Sequence, residues 1–382
     1  MKSNYKKIGG FIRLVDERNT GLKVTDLLGL SISKEFIQSV ANTIGTDMEN
    51  YKIIRKNQFA CSTMQVRRDK KMPVALLQNS DKAIISQAYP VFEIIDVTIL
   101  LPEYLMMWFT RSEFDREACF YAVGGVRGSL EWEDFCDMQL PIPSPDKQKE
   151  IVKEYNTIVN RIKLNEQLCQ KLEEMAQAIY KQWFVDFEFP DENGKSYKSN
   201  GGEMVFNDVI EQEIPKGWEV GALNNLIEIK YGKAYSHLTN GKIPLYGSGG
   251  IMGYVNKYLY DKPSVLIPRK GSLNNIVFID KPFWCVDTMF YSILKNEFCG
   301  SYVYHYLISK DFNSLDVGSA VPSMTTSYLN SMSIIKPSNE VLKSFDCHLK
   351  KILRQIEFCT IQNLKLDEIK NVLLSKIATI EN

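Results

Sequence analysis

Histidine is scarce in this chain, and cysteine never comes in close pairs. Three histidines, His237, His305 and His348, are scattered through 382 residues. Eight cysteines, at positions 61, 119, 136, 169, 285, 299, 347 and 359, give no CxxC pair and no regular spacing. Structural zinc takes Cys and His ligands at short, repeated spacings, so a zinc site is not expected. The cysteines read instead as buried free thiols of a reducing cytoplasm. A run of about 18 apolar residues, which a membrane span requires, is missing too. The amino-terminal MKSNYKKIGGFIRLVDERN offers no apolar stretch of signal-peptide length. Nor does one sign of charge prevail: 46 Lys and Arg balance 46 Asp and Glu, at a pI near 6.8. Such a balance argues against nucleic-acid binding unless charge is unevenly placed along the chain.

Catalytic signatures are absent as well. There is no DPPY- or NPPF-type tetrapeptide for base methylation, no PD…ExK cluster, no Walker loop, no HExxH and no GxSxG. The acidic group Glu131, Glu133 and Asp134 reads as a solvent-facing loop before a strand. The chain is built to hold and to recognise.

What the chain does have is a long helix. Residues 146–183 contain neither Gly nor Pro, and Pro141, Pro143 and Pro145 stop any helix upstream, with Asp146 as the expected N-cap. Steps of four and three along it trace one seam: Ile151, Tyr155, Ile158, Ile162, Asn165, Cys169, Leu172, Ala176, Ile179, Trp183. That alternation is the 3.5-residue period of a coiled-coil face. At 1.5 Å per residue the helix spans roughly 55–60 Å, longer than a small domain is wide. The seam recurs 194 residues on, in residues 340–377: Phe345, Leu349, Ile352, Ile356, Cys359, Asn363, Leu366, Lys370, Leu373, Ile377. Asn165, Asn363 and Lys370 are polar interruptions, read either as register-setting positions or as the edge of an imperfect seam. Two matched seams in one chain predict an antiparallel helix pair.

The rest of the chain repeats with the helices. GGVRGSLEWEDFCDMQLPIPS (124–144) lies over GSAVPSMTTSYLNSMSIIKPS (318–338) with the same 194-residue shift. YLMMWFTRSEFD (104–115) lies over YVYHYLISKDFN (302–313), matching Tyr104, Trp108 and Phe114 to Tyr302, Tyr306 and Phe312. Strand-like runs (IGGFIRLV, YKIIR, VALLQ and KAIIS, then LIEIKYG, SVLIP, NIVFID and FYSILK) are punctuated by Gly and Pro. The expected fold is of mixed α/β (α+β) class: two pseudo-symmetric globular recognition domains separated by an antiparallel coiled-coil pair. Its parts are a first domain at 1–145, a central helix at 146–190, a flexible linker at 191–214, a second domain at 215–338, and a terminal helix at 339–382.

Two similar heads held by a helical spacer suit a target with a two-fold backbone, and duplex DNA is one. Residues 51–72 carry seven positive charges against one negative, a net of +6. There Arg55, Lys56, Arg67, Arg68 and Lys70 stand among Asn57, Thr63 and Gln65, which can hydrogen-bond phosphates or base edges. The bland reading is a solvated strand edge. Arg127 and Ser129 lie in a second compact loop. In the second head, the Gly/Ser loop 241–258 offers Tyr246, Ser248 and Gly249, and Lys233 precedes it; Arg269, Lys270, Ser272 and Asn274 follow, then Thr325 and Thr326. GSGG lacks a GK[ST] or GxGxxG context, so turn glycines are its first reading.

Taken together, YLMMWFTRSEFDREACFYAVGGVRGSLEWEDFCDMQLPIPSPDKQKEIV, IPKGWEVG, PLYGSGGIMGYV, VLIPRKGSLNNIVFIDKPFWCVDT and VPSMTTSYLNSMSIIKPS resemble the DNA specificity subunits of type I restriction-modification systems. The resemblance covers essentially the whole chain. It implies two target-recognition domains, each reading half of a split DNA sequence, with the helices as a ruler. It also implies a chain with no catalysis and no cofactor of its own. Two methyltransferase subunits using S-adenosylmethionine, and restriction subunits using ATP and magnesium, are the implied partners. A protein-binding adaptor with two heads, or a recognition region with its own methyltransferase or nuclease activity, are the alternatives.

Overall fold

The structure, a computed structural model, describes residues 5–39, 45–124, 128–312 and 323–380. Eight α-helices are described: α1 (Val66–Asp69), α2 (Pro102–Thr110), α3 (Ser112–Tyr121), α4 (Trp132–Asp137), α5 (Pro145–Phe184), α6 (Gly300–Ile308), α7 (Thr326–Ser331) and α8 (Asn339–Ile377). The chain forms two compact units, one of Met1–Asn165 with Thr360–Asn382, the other of Glu166–Cys359. Each unit therefore contains a stretch of both long helices.

In the first unit, Ile12–Val15, Val91–Ile94, Phe59–Cys61 and Val74–Leu76 form an antiparallel four-stranded sheet in that order. Lys52–Arg55 pairs with Lys82–Ile85 beside it. Phe59 and Phe92 stack at 5.0 Å, and Phe109 meets Phe92, Phe114 and Phe135. Helix α2 supplies Tyr104, Leu105, Met107 and Phe109 to this core, and Pro102 opens it at the position where a missing N–H costs nothing. A buried ion pair, Lys34–Asp115 at 2.8 Å, ties the loop at 31–35 to α3. Burial lowers the Lys34 pKa while the Asp115 hydrogen bond opposes that shift.

In the second unit, Ile227–Tyr231, Met289–Leu294, Ser264–Pro268 and Val277–Ile279 make another antiparallel four-stranded sheet. A three-stranded sheet joins Gly250–Val255, Asn240–Gly247 and Trp284–Cys285, the last pair parallel. The stretch expected to be a Gly/Ser loop is thus mostly a β-hairpin. Gly250, at a φ of +112°, supplies the backbone conformation that lets the chain reverse. The repeat is visible in matching bonds: the Tyr104 hydroxyl donates to the Pro141 carbonyl (3.1 Å), and the Tyr302 hydroxyl to the Ile335 carbonyl (2.7 Å).

The segment expected to be a flexible linker is ordered in part. Met204–Asn207 pairs with Gln212–Pro215, and Tyr197 stacks on Phe189 at 4.6 Å. Asp191 accepts from the backbone N–H groups of Asn193 and Lys195, closing the turn between them. Its polar composition reflects tight side-chain-capped turns rather than a solvated coil.

Helix α5 starts at Pro145, one residue before the expected Asp146 cap, since proline is favoured at the first helical position. Buried Gln148 fastens it, accepting from the Leu101 N–H and donating to the Ile99 and Pro143 carbonyls. In the first unit Ile151 shares a core with Leu374 and Ile377, while Asn165 meets Gln362 and Asn363, so α5 and α8 run antiparallel there. They do so in the second unit as well, where Cys169 lies near Ile356 and Trp183 packs on Phe345 at 5.6 Å. Tyr155, Ile158, Ile162, Leu172 and Ile179 are half-buried along α5. On α8, Phe345, Leu349 and Ile352 are buried, and Ile356, Leu366 and Leu373 half-buried. Asn165 is 1% exposed, and its side-chain amide donates to both Gln362 (2.8 Å) and Asn363 (2.7 Å), a satisfied polar layer inside an apolar seam.

Candidate nucleic-acid interface

The basic stretch of the first unit is less free than its composition implies. Arg55 grips Glu17 with two bonds, at 2.8 and 2.7 Å, and this hydrogen bonding holds the Glu17 carboxyl below its usual range. Arg68 does the same to Asp69 at 2.6 and 3.1 Å, and Lys52 lies 3.6 Å from Asp16. Asp16 and Glu17 lie outside the 51–72 window, which is why a local charge count overstates the field. Asn57 turns the chain at a φ of +68° and accepts from Gln78. Thr63 and Gln65 are half-buried, whereas Lys56, Arg67 and Lys70 are exposed.

Arg67 is the residue around which a surface forms. It sits on α1, its Nη1 donates to the Gly124 carbonyl at 3.4 Å, and its stem lies against Gly128. The Leu130 N–H donates to the Thr63 carbonyl at 2.9 Å, so the basic turn and the 128–130 segment come together. Ser129 is half-buried and bridges to Val123; Arg127 lies outside the described residues. Beside this surface Phe120 is 80% exposed and Val123 60% exposed, apolar groups that charge counting overlooks.

In the second unit, three segments distant in sequence converge. Asn275 donates to the Ser248 carbonyl at 2.9 Å, locking the hairpin turn to the 269–275 loop. Gly271, at a φ of +86°, lets that loop pass: a Cβ there would lie 2.8 Å from the Ser248 hydroxyl. Lys270 bridges to Ser323, and the Met324 N–H donates to the Arg269 carbonyl at 2.8 Å. Thr325 then caps α7 by accepting from the Tyr328 N–H, with Thr326 as the first helical residue. Arg269 lies over the Tyr231 ring, 5.4 Å from its centroid. Gly249, Lys233, Lys270 and Ser272 are exposed on this surface.

Two expected contacts are occupied internally. Asn274 accepts from the Phe312 N–H (3.0 Å) and donates to Asp311 (3.2 Å), so its amide positions the loop. Tyr246 is half-buried against the cluster of Leu266, Phe283 and Cys285, and burial raises its pKa. Among the described residues, no group of three or more His, Cys, Asp or Glu is arranged to hold a metal ion, and no helix is long and apolar enough to cross a membrane.

Duplicated β-rich bodies, paired long helices, and exposed cations beside glycine turns fit a protein that recognises nucleic acid. A sequence profile described as the type I restriction modification DNA specificity domain matches residues 34–174 and again residues 215–372. The chain therefore belongs to the type I restriction-modification DNA specificity family, and its role is recognition rather than catalysis. It is 23% identical over 308 residues to the type I restriction enzyme MjaIX specificity subunit of Methanocaldococcus jannaschii, covering 73% of this chain and 68% of that one. It is 24% identical over 371 residues to the HindI specificity subunit of Haemophilus influenzae, covering 78% and 81%. The crystal structure of the type I restriction-modification S subunit from M. genitalium shares the fold, with a TM-score of 0.62 at 15% identity over 99% of this chain and 96% of that one.

Proposed function

We propose that each unit reads one half of a two-part DNA sequence, and that the long helices set the gap between the halves and dock two methyltransferase subunits. The observation that carries this reading is the occurrence, in each repeat, of a cation-bearing surface built around glycine turns. In the first unit Arg67 and Lys70 are its exposed cations, and in the second Lys233, Lys270 and the half-buried Arg269.

The helices support the partner assignment. Leu164, Ile361, Leu364, Ile369 and Val372 are exposed on the helices of the first unit, and Leu168, Met175 and Phe358 on those of the second. Apolar side chains left outside a filled seam mark a surface that another helix covers. A cavity of about 520 Å³ in the second unit is lined by Gln177, Ala178, Lys181 and Val185. One of about 440 Å³ in the first unit is lined by Asn371, Val372, Ser375 and Thr379, each 194 residues further on. Repeat-related cavities suit a partner present in two copies. S-adenosylmethionine belongs, on this reading, to those methyltransferase subunits, and ATP and magnesium to restriction subunits that join them; the assembly works in the cytoplasm.

The test is co-expression with a methyltransferase subunit of the same family of systems, followed by mapping of methylated bases across a host genome. Two short blocks separated by a constant gap are expected. A continuous motif, or no methylation from a stable complex, refutes the two-part reading.

A further inference from the structure

We infer that the 240–255 hairpin reads thymine: Ile251 and Met252, at its tip, pack against thymine C5-methyl groups in the major groove of the half-site held by the second unit. The inference rests on that unit holding DNA, as proposed above, and adds which chemical feature of a base is read and by which residues.

The tip is apolar where solvent would favour polar groups. Ile251 and Met252 are 54% and 55% exposed, and Tyr254 is 53% exposed. Neighbours on a regular strand point to opposite faces, but the register shifts between Leu245 and Tyr246, and Met252 has no partner residue across the ladder. Such a bulge re-aims side chains and bends the strand. Met252 lies over Gly247, where a Cβ would come 2.4 Å from its sulfur, so the glycine keeps the ribbon slim at this point. A two-stranded ribbon fits the roughly 12 Å major groove, where the thymine methyl is the one apolar mark on a base edge.

Charge around the tip selects the occupant. Of the cations in this unit, Arg269 and Lys270 lie in the loop held against the turn, whereas Lys242 lies at the far end of the hairpin, where Asn240 pairs with Val255. The Asn275–Ser248 hydrogen bond fixes the turn beside the Arg269–Lys270 loop. An apolar tip with two cations on the loop beside it is complementary to a polyanion that carries methyl groups. It is a poor match for an ordinary apolar protein surface.

The experiment uses the complex of this chain with its methyltransferase and the duplex defined by methylation mapping. Each thymine of the second unit's half-site is replaced singly by deoxyuridine, which lacks only the methyl group. Removing one contacted methyl is expected to weaken equilibrium binding about fourfold. In Ile251→Ala or Met252→Ala, thymine and deoxyuridine duplexes should bind alike at the corresponding position, while Met252→Leu should keep the discrimination. Both residues are more than half exposed, so these variants retain the fold. Deoxyuridine tolerated at every thymine, a half-site with no thymine on either strand, or discrimination unchanged in both alanine variants overturns the inference with DNA recognition intact. Loss of all specific binding by the unmodified complex would overturn the DNA-reading proposal itself.

Discussion

Arg55, Arg67 and Arg68 are equivalent in a charge count and unlike in the folded chain. Arg55 and Arg68 each hold a carboxylate in two bonds, whereas Arg67 leans on a backbone carbonyl and keeps its charge toward solvent. A phosphate contact releases condensed counterions, and log affinity then falls against log salt by about 0.9 for each neutralised phosphate. Arg67→Ala should therefore weaken DNA binding by the assembled complex and flatten its salt slope by about one unit. Arg55→Ala should change the slope little, because Glu17 already balances that charge. Filter binding across a salt series measures both, and equal effects from the two variants would remove Arg67 from the interface. The pairing of Glu17 with Arg55 spans 38 positions, and that of Asn274 with Phe312 also spans 38, so no local window reveals them. Residue types were legible in the sequence; which of them remain available was not.

At the scale of elements, legibility follows the length of the repeating signal. Helices α5 and α8 run 40 and 39 residues, long enough for the seam period to repeat many times without an interrupting Gly or Pro. The 240–255 hairpin is short and carries its glycines at the turn, so composition reads as loop although the flanking residues pair. Its bulge could not be read at all, because register is a property of two strands together. Helix α6 shows what packing adds. His305 on α6 stacks on Tyr180 of α5 at 5.8 Å and meets Phe345 of α8 at 6.1 Å, with Tyr304 beside it. Glu174 and Lys181 lie in the wall of the same cavity. The ring is 4% exposed, its Nδ1 has no hydrogen-bond partner, and burial lowers its pKa from 6.5 to about 4. Between those two values the unfolded chain binds a proton that the folded chain does not, so stability falls as pH drops through that window. The loss approaches roughly 3 kcal/mol at the acid end. His305→Phe should match or exceed the wild type at pH 7.5 and lose markedly less stability at pH 5, as read by thermal or urea unfolding. Parallel pH profiles for the two proteins would mean that His305 does not titrate in this range.

For the whole molecule, the repeat implies a measurable consequence of helix length. If α5 and α8 together set the gap between the two blocks of the DNA target, lengthening both must lengthen the gap. The insertion has to be seven residues in each helix, because a heptad returns the seam to the same face while a shorter insert rotates it. Placing one heptad after Asn165 and the other before Thr360 puts both inserts at the boundary between the units. It also leaves the Asn165 hydrogen bonds to Gln362 and Asn363 within the first unit. Seven residues add about 10 Å at 1.5 Å each. At 3.4 Å per base pair this corresponds to about three base pairs. The variant, assembled with its methyltransferase, should methylate the same two blocks with the gap widened by about that amount, because neither recognition surface has been altered. An unchanged gap would mean that DNA bending or another segment sets the spacing. New blocks would mean that base reading depends on the helices as well as on the two units.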